Sequence, residues 1–174
     1  REKSNNNYLS NITSNIGILT PTFDKERSTY EIDVENSVKD IIIEGIPESS
    51  KATVTGDGYK SLRTGVNTIN ILVTAETGSI RTYTVIVRRE LSSNVDLKDL
   101  YVRGYTINPI FNKDTLLYEL EVENDVTYVD IDGELEDKLS SVIGLGRVDL
   151  SVGLNECLVT VTAENGNIKT YQIM

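Results

Sequence analysis

Apolar and polar side chains alternate along most of this chain, and the alternation has a period of two. The pattern is clearest in the following stretches: 30–35, 68–74, 82–87, 118–123, 157–162 and 170–173. In a β-strand, successive side chains point to opposite faces, so this pattern puts one face on a core and the other in water. No stretch shows the 3.6-residue period of an amphipathic helix. The pattern therefore predicts an all-β protein.

Short glycine-containing segments separate the predicted strands. Residues 75–79 (Ala-Glu-Thr-Gly-Ser) and 163–167 (Ala-Glu-Asn-Gly-Asn) each join two well-patterned strands. Gly and Asn-Gly supply the positive φ that a tight hairpin turn needs. Six or seven short strands, at a spacing of roughly 8–12 residues, are typical of a Greek-key β-sandwich of the immunoglobulin type. We expect such a sandwich with antiparallel sheets.

The chain contains the same pattern twice. Residues 4–86 align with residues 92–174 without a gap, and both copies keep their Pro, Phe, Tyr, Gly and Asn residues at matching positions; the recurring positions include Pro21/Pro109, Phe23/Phe111, Tyr30/Tyr118, Gly65/Gly153 and Asn67/Asn155. A repeat of this length indicates two domains of one architecture. We place domain 1 at residues 1–89, with residues 1–7 as a polar tail, and domain 2 at residues 90–174.

Charge distinguishes the two copies. Residues 1–89 hold 11 Lys/Arg and 11 Asp/Glu, whereas residues 90–174 hold 6 and 16, so the whole net charge of −10 lies in the second copy. An acidic chain argues against nucleic acid as a partner, because phosphates need a basic face. No apolar run is long enough to span a bilayer. The given sequence begins without Met and without the pattern of a signal peptide, and we expect it to be part of a longer protein.

The residue inventory narrows the chemistry. There is no His, which excludes Ser-His-Asp and Cys-His catalysis as well as His-ligated zinc. The single Cys157 cannot form an internal disulfide, and its repeat partner is Ile69, so we interpret it as a small core residue. Asp and Glu are abundant, but no pair stands out as a hydrolytic site. The sequence predicts a protein that is not an enzyme.

Each copy carries the same ordered series of motifs: a leading Leu-x-x-Leu/Ile strand, a Pro-x-Phe segment, a Tyr-containing strand, a Gly-x-Asn start to a long strand, and an Ala-Glu-x-Gly turn. In the first copy these are Leu9/Ile12, Pro21/Phe23, Tyr30/Val34, Gly65/Asn67 and Ala75/Glu76/Gly78, followed by Thr82/Tyr83/Val85; in the second they are Leu97/Leu100, Pro109/Phe111, Tyr118/Val122, Gly153/Asn155 and Ala163/Glu164/Gly166, followed by Thr170/Tyr171/Ile173. In these motifs, each copy resembles the bacterial cadherin-like β-sandwich domain family.

The resemblance implies a non-catalytic, extracellular module of a bacterial cell-surface or secreted protein. Such a module acts as a spacer or binds a cell-surface protein or glycan. The alternative is a carbohydrate- or protein-binding accessory module of a larger secreted enzyme. A wall anchor on the full-length protein would favour the first hypothesis, and a catalytic domain would favour the second.

Residues that differ between the copies are the candidates for binding. Tyr101, Tyr105 and Tyr128 stand where the first copy has Thr, Gly and Asp. Exposed Tyr is frequent in binding surfaces, although cross-strand packing is the default explanation for such residues. The absence of Trp weakens a sugar-binding interpretation.

Acidic residues are the second set of candidates. Glu119, Glu121 and Glu123 are expected to point outward from one strand, and Asp130, Asp132 and Glu134 from the next; all six lie in the acidic copy. If these strands pair, like charges face one another, and a divalent cation or a basic partner would relieve the repulsion. Asp130, Asp132 and Glu134 are therefore weak candidates for calcium ligands. The alternative is a solvated acidic face with no ligand.

Overall fold

The computed structural model describes residues 2–174, which form two compact units. Unit 1 ends at Leu91 and unit 2 spans Ser92–Met174. The boundary lies two residues after the division between residues 89 and 90 that the repeat suggested. Each unit consists of two sheets that face each other across an apolar core. The predicted all-β, two-sandwich fold is confirmed.

The described residues of unit 1 form seven strands, within the six or seven that the turn spacing predicted: β1 (Leu9–Ser14), β2 (Thr29–Val34), β3 (Asp40–Pro47), β4 (Thr53–Thr55), β5 (Gly58–Ser61), β6 (Gly65–Thr74) and β7 (Ile80–Arg89). One sheet has the order β1-β3-β5, and the other has the order β2-β7-β6-β4. The 75–79 hairpin turn joins β6 to β7, whose register runs from Gly65 opposite Arg89 to Thr74 opposite Ile80.

Unit 2 repeats this plan with seven further strands: β8 (Leu97–Val102), β9 (Leu117–Tyr118), β10 (Tyr128–Leu135), β11 (Ser141–Ile143), β12 (Gly146–Asp149), β13 (Cys157–Thr162) and β14 (Ile168–Ile173). Its sheets have the orders β8-β10-β12 and β9-β14-β13-β11, which match those of unit 1 strand for strand. β9 and β13 are shorter than β2 and β6, their counterparts.

One strand pair in each unit is parallel instead of antiparallel. β2 pairs with β7, and β9 pairs with β14. The chain leaves β1 and enters the opposite sheet before β2, so β2 is free to lie beside the last strand of the unit. The sequence pattern cannot reveal this, because alternation is the same in both kinds of pair. In the parallel register, the inward Tyr30 and Ile32 lie beside the inward Val85 and Val87.

The inward-facing positions form the two cores. Four fully buried tyrosines anchor them at equivalent places: Tyr30, Tyr83, Tyr118 and Tyr171. Burying a side chain of this kind stabilises the folded state by roughly 1.5–3 kcal/mol. Cys157 is buried in the second core, and burial raises the pKa of its thiol, which confirms its interpretation as a core residue.

The polar composition of residues 1–7 suggested a free tail, but hydrogen bonds hold part of this segment on unit 1. Residue 1 lies outside the described part of the chain. The backbone N–H of Ser4 donates to a carboxylate oxygen of Glu76 (3.0 Å). The hydroxyls of Thr77 and Ser79 donate to the side-chain oxygen of Asn5. In unit 2, the Ser92 N–H binds Glu164 in the same way (3.0 Å). A polar segment therefore caps the long hairpin of each unit.

Candidate partner-binding surface

The outward face of the β8-β10-β12 sheet carries the aromatic residues predicted to bind. We call this surface the Tyr–Asp face and define it by six residues: Tyr101, Arg103, Tyr128, Asp130, Asp132 and Arg147. Their positions follow from strand alternation, because Leu100, Val102, Val129 and Ile131 point inward into the core. Tyr101 and Tyr128 are 47% and 43% exposed, so a large part of each side chain is available for contact with a partner.

Arg147 organises one half of the Tyr–Asp face. Its guanidinium lies 3.9 Å from the centre of the Tyr128 ring, and its Nε donates to Asp149 (3.0 Å). Asp149 is opposite Tyr128 in the strand register, and Arg147 is opposite Asp130. The cation thus covers part of the Tyr128 ring and lies beside the negative charge of Asp130 at the same time.

Arg103 organises the other half. Its Nε donates to Asp132, and Asp132 lies opposite Tyr101 in the β8–β10 register. The hydrogen bond from Arg103 to Asp132 is the main reason why the pKa of Arg103 is raised, with contributions from Tyr101 and Asp130. The backbone N–H of Arg103 also donates to the carbonyl of Asp130 (2.9 Å). Arg103 therefore connects Tyr101 to the strand that carries Tyr128.

Tyr105 joins the same surface through a shallow depression of about 340 Å³. The depression is lined by the following residues: Arg103, Tyr105, Asp125, Val126, Thr127, Tyr128, Val129 and Asp130. Tyr105 is 38% exposed and lies in the turn after β8, where its N–H donates to the Val102 carbonyl (3.1 Å). The structure therefore brings all three candidate tyrosines to one side of unit 2.

The two acidic rows of unit 2 do not face one another, because the strands that carry them do not pair. Glu119 lies beside β9, which pairs with β14, whereas Asp130 and Asp132 lie on β10, which pairs with β8 and β12. The two acidic rows belong to different sheets, because strands that follow one another along the chain switch sheets here. Glu121 and Glu123 lie beyond the end of β9, in an exposed segment without strand pairing. They take no part in the Tyr–Asp face.

The weak candidates for calcium ligands on β10 do not cluster together, and two of them form ion pairs with basic side chains. Asp132 pairs with Arg103, and Glu134 pairs with Lys98 (3.0 Å). No group of three or more Cys, Asp or Glu side chains within residues 2–174 is arranged to hold a metal ion. The sequence reasoning considered only the acids on β10, whereas β8 and β12 bring cations to the same face.

Residues 9–90, which include all seven strands of unit 1, match the family described as the cadherin-like beta sandwich domain. Unit 1 is a cadherin-like β-sandwich domain. The resemblance seen in its motifs is therefore confirmed, and unit 2 repeats the strand order of this domain.

Two known proteins are similar to this chain. A protein of Evansella cellulosilytica named "Putative membrane protein" is 31% identical over 144 residues; the match covers 77% of this chain and 21% of the relative. The chain thus spans about a fifth of the length of that relative. The human desmocollin-1 ectodomain matches with a TM-score of 0.31 and 10% identity, over 90% of this chain and 36% of that one. Within residues 2–174, no helix is long and apolar enough to cross a lipid bilayer.

The cadherin-like domain of unit 1 has an aromatic residue on its matching face, which sequence reasoning missed. Tyr59 is 62% exposed and lies opposite the half-exposed Ile42 in the β3–β5 register. In the repeat alignment Tyr59 corresponds to Arg147. A search for tyrosines that are present only in the second copy therefore could not find it. Comparing the same strand position for any exposed aromatic would have done so.

A second surface difference also went unnoticed in the sequence. In the cadherin-like domain of unit 1, the Tyr8 ring lies 3.9 Å from the guanidinium of Arg81. The equivalent residues of unit 2 are Asp96 and Lys169, which form an ion pair at 2.7 Å. The hydrogen bond from Lys169, and another from Lys113, hold the pKa of Asp96 below its usual value. The residue before the first strand of each unit therefore contacts the last strand in both units, but through a cation–π contact in unit 1 and an ion pair in unit 2.

Proposed function

We propose that this chain is a non-catalytic binding module of a bacterial cell-surface or secreted protein, and that it binds a protein partner through the Tyr–Asp face of unit 2. We further propose that unit 2 is a second cadherin-like domain, so that the chain consists of two tandem copies. The extracellular location rests on the family of unit 1. The two domains would act together as an adhesive spacer.

The observation that carries the proposal is the grouping of exposed Tyr and Arg on one face. Binding energy in protein interfaces concentrates in Tyr, Trp and Arg residues. Tyr101 and Tyr128 offer large contact areas, and Arg103 and Arg147 hold fixed positions beside them. A mixed row of Asp and Arg selects against partners with mismatched charge.

A flat, mixed-charge face favours a protein over a glycan. Sugar sites stack rings on aromatic side chains, and the chain has no Trp. The depression beside Tyr105 is shallow and is bordered by charged groups. A protein with exposed Lys, Arg and Asp side chains around an apolar centre fits this arrangement.

Binding to panels of immobilised matrix and cell-surface proteins and to a glycan array tests the proposal. Tyr101→Ala and Tyr128→Ala should each weaken binding to the recognised protein by about tenfold or more, as expected of hot-spot residues. Tyr59→Ala is the matched control, because Tyr59 is exposed on the equivalent face of unit 1. It should leave affinity unchanged.

The opposite pattern would place the site elsewhere. If Tyr59→Ala abolishes binding and the unit 2 variants do not, unit 1 holds the partner site. Binding to glycans alone would support the accessory-module alternative. Circular dichroism of each variant separates loss of contact from loss of fold.

The context of the full-length gene separates the two roles. A wall-anchoring segment on the same polypeptide supports the adhesive role. A catalytic domain on it supports an accessory module of a larger secreted enzyme, which was the alternative interpretation.

A further inference from the structure

The second sheet of unit 2, β9-β14-β13-β11, has an outward face that is separate from the Tyr–Asp face. We call it the Leu–Thr face and define it by six uncharged residues: Leu117, Ile143, Leu158, Thr160, Thr170 and Gln172. Strand alternation turns these side chains outward, because their neighbours Tyr118, Val159 and Tyr171 are buried. An uncharged sheet face is unexpected here, since residues 90–174 hold 6 Lys/Arg and 16 Asp/Glu.

Three large apolar side chains lie in water on the Leu–Thr face. Leu117 and Leu158 are each 48% exposed, and Ile143 is 71% exposed. Gln172 lies between the two leucines, because it is opposite Leu117 on β9 and opposite Leu158 on β13. Ile143 is opposite Thr160, on the edge strand β11. The apolar side chains thus reach from one edge of the sheet to the other and form one surface.

Unit 1 has polar residues at the same three positions. The counterparts of Leu117, Leu158 and Ile143 are, in this order, Thr29, Asn70 and Thr55. The fold is the same in both units, so it does not require apolar side chains at these positions. A contiguous apolar patch that a soluble surface does not need is typical of an interaction site.

The polar groups of the Leu–Thr face already have hydrogen-bond partners within unit 2. The hydroxyls of Thr160 and Thr170 lie 3.0 Å apart and bond to each other. The Gln172 amide donates to the Glu156 carboxylate at the rim of the face (2.6 Å). Burying a polar group costs free energy chiefly when it is left unpaired. The face can therefore lose its water at little cost.

We propose that two copies of this chain associate through the Leu–Thr face, each presenting the same surface to the other. Charge identifies the occupant. Two chains with a net charge of −10 repel each other wherever their acidic surfaces meet, whereas this face opposes one uncharged surface to another. A basic partner would instead be drawn to the acidic surfaces of unit 2.

The contact closes as a two-fold dimer, because both copies use the same patch. The outward side chains of the two sheets interdigitate, as they do between packed sheets about 10 Å apart. This inference is independent of the proposed function, since the Tyr–Asp face belongs to the other sheet of unit 2.

The size of the face sets the strength of the dimer. Four strands and two rows of outward side chains cover an area of roughly 19 Å by 14 Å. Each partner in a standard interface buries about 800 Å², which is more than this face offers. The dimer should therefore be weak and reversible, with a Kd on the order of 100 µM.

Sedimentation equilibrium of the 174-residue chain, at concentrations from about 10 µM to about 1 mM, tests the proposal. The chain should show a monomer–dimer equilibrium. The triple variant Leu117→Thr, Ile143→Thr and Leu158→Asn gives unit 2 the residues of unit 1, and it should raise the Kd by about tenfold or more. The matched control is Val152→Thr, which should leave the Kd unchanged. Val152 is 85% exposed in the loop between β12 and β13, and its counterpart in unit 1 is also Thr.

Ionic strength gives a second readout. Raising NaCl from about 50 to about 500 mM screens the repulsion between two acidic chains. The dimer should therefore become tighter by about threefold or more, whereas a contact between acidic and basic surfaces would become weaker. Tyr101→Ala and Tyr128→Ala should leave the dimer unchanged, because both residues lie on the other sheet.

Several outcomes would overturn the proposal. They are a monomer at every concentration, the same Kd for the triple variant and the original chain, and a dimer that weakens at high salt. Loss of the dimer in Tyr101→Ala or Tyr128→Ala would place the contact on the Tyr–Asp face, and an equal effect of Val152→Thr would show unspecific apolar association. Circular dichroism checks the fold of each variant. If the triple variant does not fold, Leu158→Asn alone carries the test.

Discussion

The guanidinium of Arg147 lies 3.9 Å from the centre of the Tyr128 ring on the outward face of unit 2. This contact restrains the ring while much of it stays in water. A binding surface with restrained aromatic rings loses less conformational entropy on association. The Arg147–Tyr128 contact therefore preorganises the Tyr–Asp face for binding.

The Arg147–Tyr128 contact should be measurable as a coupling. Arg147→Ala and Tyr128→Ala together should cost less stability than the sum of the single changes, by about 0.5–1 kcal/mol, the usual value for an exposed cation–π pair. Urea denaturation of the four proteins in this double-mutant cycle gives the value. Strict additivity would show that the contact contributes nothing.

The buried tyrosine hydroxyls should matter for stability. The Tyr30 hydroxyl donates to the Asp24 carbonyl and accepts from the Asp24 N–H (3.0 Å). Tyr30→Phe leaves these groups without that partner and should cost about 1–3 kcal/mol in unfolding free energy. Tyr59→Phe, at an exposed position, should stay within ~0.5 kcal/mol. Equal effects at the two positions would mean that the hydroxyl bonds are replaced by water.

Substitutions of Gly144 and Gly146 should separate two costs in the turn between β11 and β12, the cost of a left-handed backbone and that of a steric clash. Both have positive φ, but a Cβ on Gly144 would lie 1.9 Å from the Leu158 carbonyl oxygen, whereas nothing lies within 4 Å of one on Gly146. Gly146→Ala should cost ~1–2 kcal/mol for the left-handed backbone. Gly144→Ala must also displace β13, and we expect a cost of about 4 kcal/mol or more.

Thermal unfolding followed by circular dichroism compares the two glycine variants. A smaller loss in Gly144→Ala than in Gly146→Ala would show that β13 yields easily. The same contrast should appear between Gly56 and Gly58 in unit 1, where a Cβ on Gly56 would lie 2.1 Å from the Asn70 carbonyl oxygen.

The Asp96–Lys169 ion pair should make the stability of unit 2 depend on pH. The pKa of Asp96 is lowered in the folded state, so its contribution is complete above the ordinary aspartate pKa of about 3.9. It is lost as the pH falls from there through the lower folded value. The stability difference between the wild type and Asp96→Asn should therefore shrink over that range.

Urea denaturation between pH 2 and pH 6 measures that difference. Other carboxylates also titrate there, and subtracting the Asp96→Asn curve removes their contribution. Arg81→Gln in unit 1 is the control, because Arg81 contacts the uncharged Tyr8 ring. A constant difference for Asp96→Asn would contradict the ion-pair interpretation.

Much of the fold could be predicted from local pattern. Alternation marked which side chains enter the core, and glycine-containing turns such as residues 75–79 marked where strands reverse. The candidate site was predictable only in part: the repeat comparison identified Tyr101, Tyr105 and Tyr128, but not Arg103 and Arg147 beside them. Those cations come from neighbouring strands, and sequence position does not reveal which strands are neighbours.

The sequence by itself determined the two copies, the all-β class and the inward positions such as Tyr30 and Cys157, because strand periodicity and turn chemistry are local. Only the tertiary structure decided strand partners. It separated Glu119 from Asp132, because β9 and β10 belong to different sheets. The physical reason is that every alternating strand presents the same backbone edge, so its partner depends on how the whole chain closes around the core.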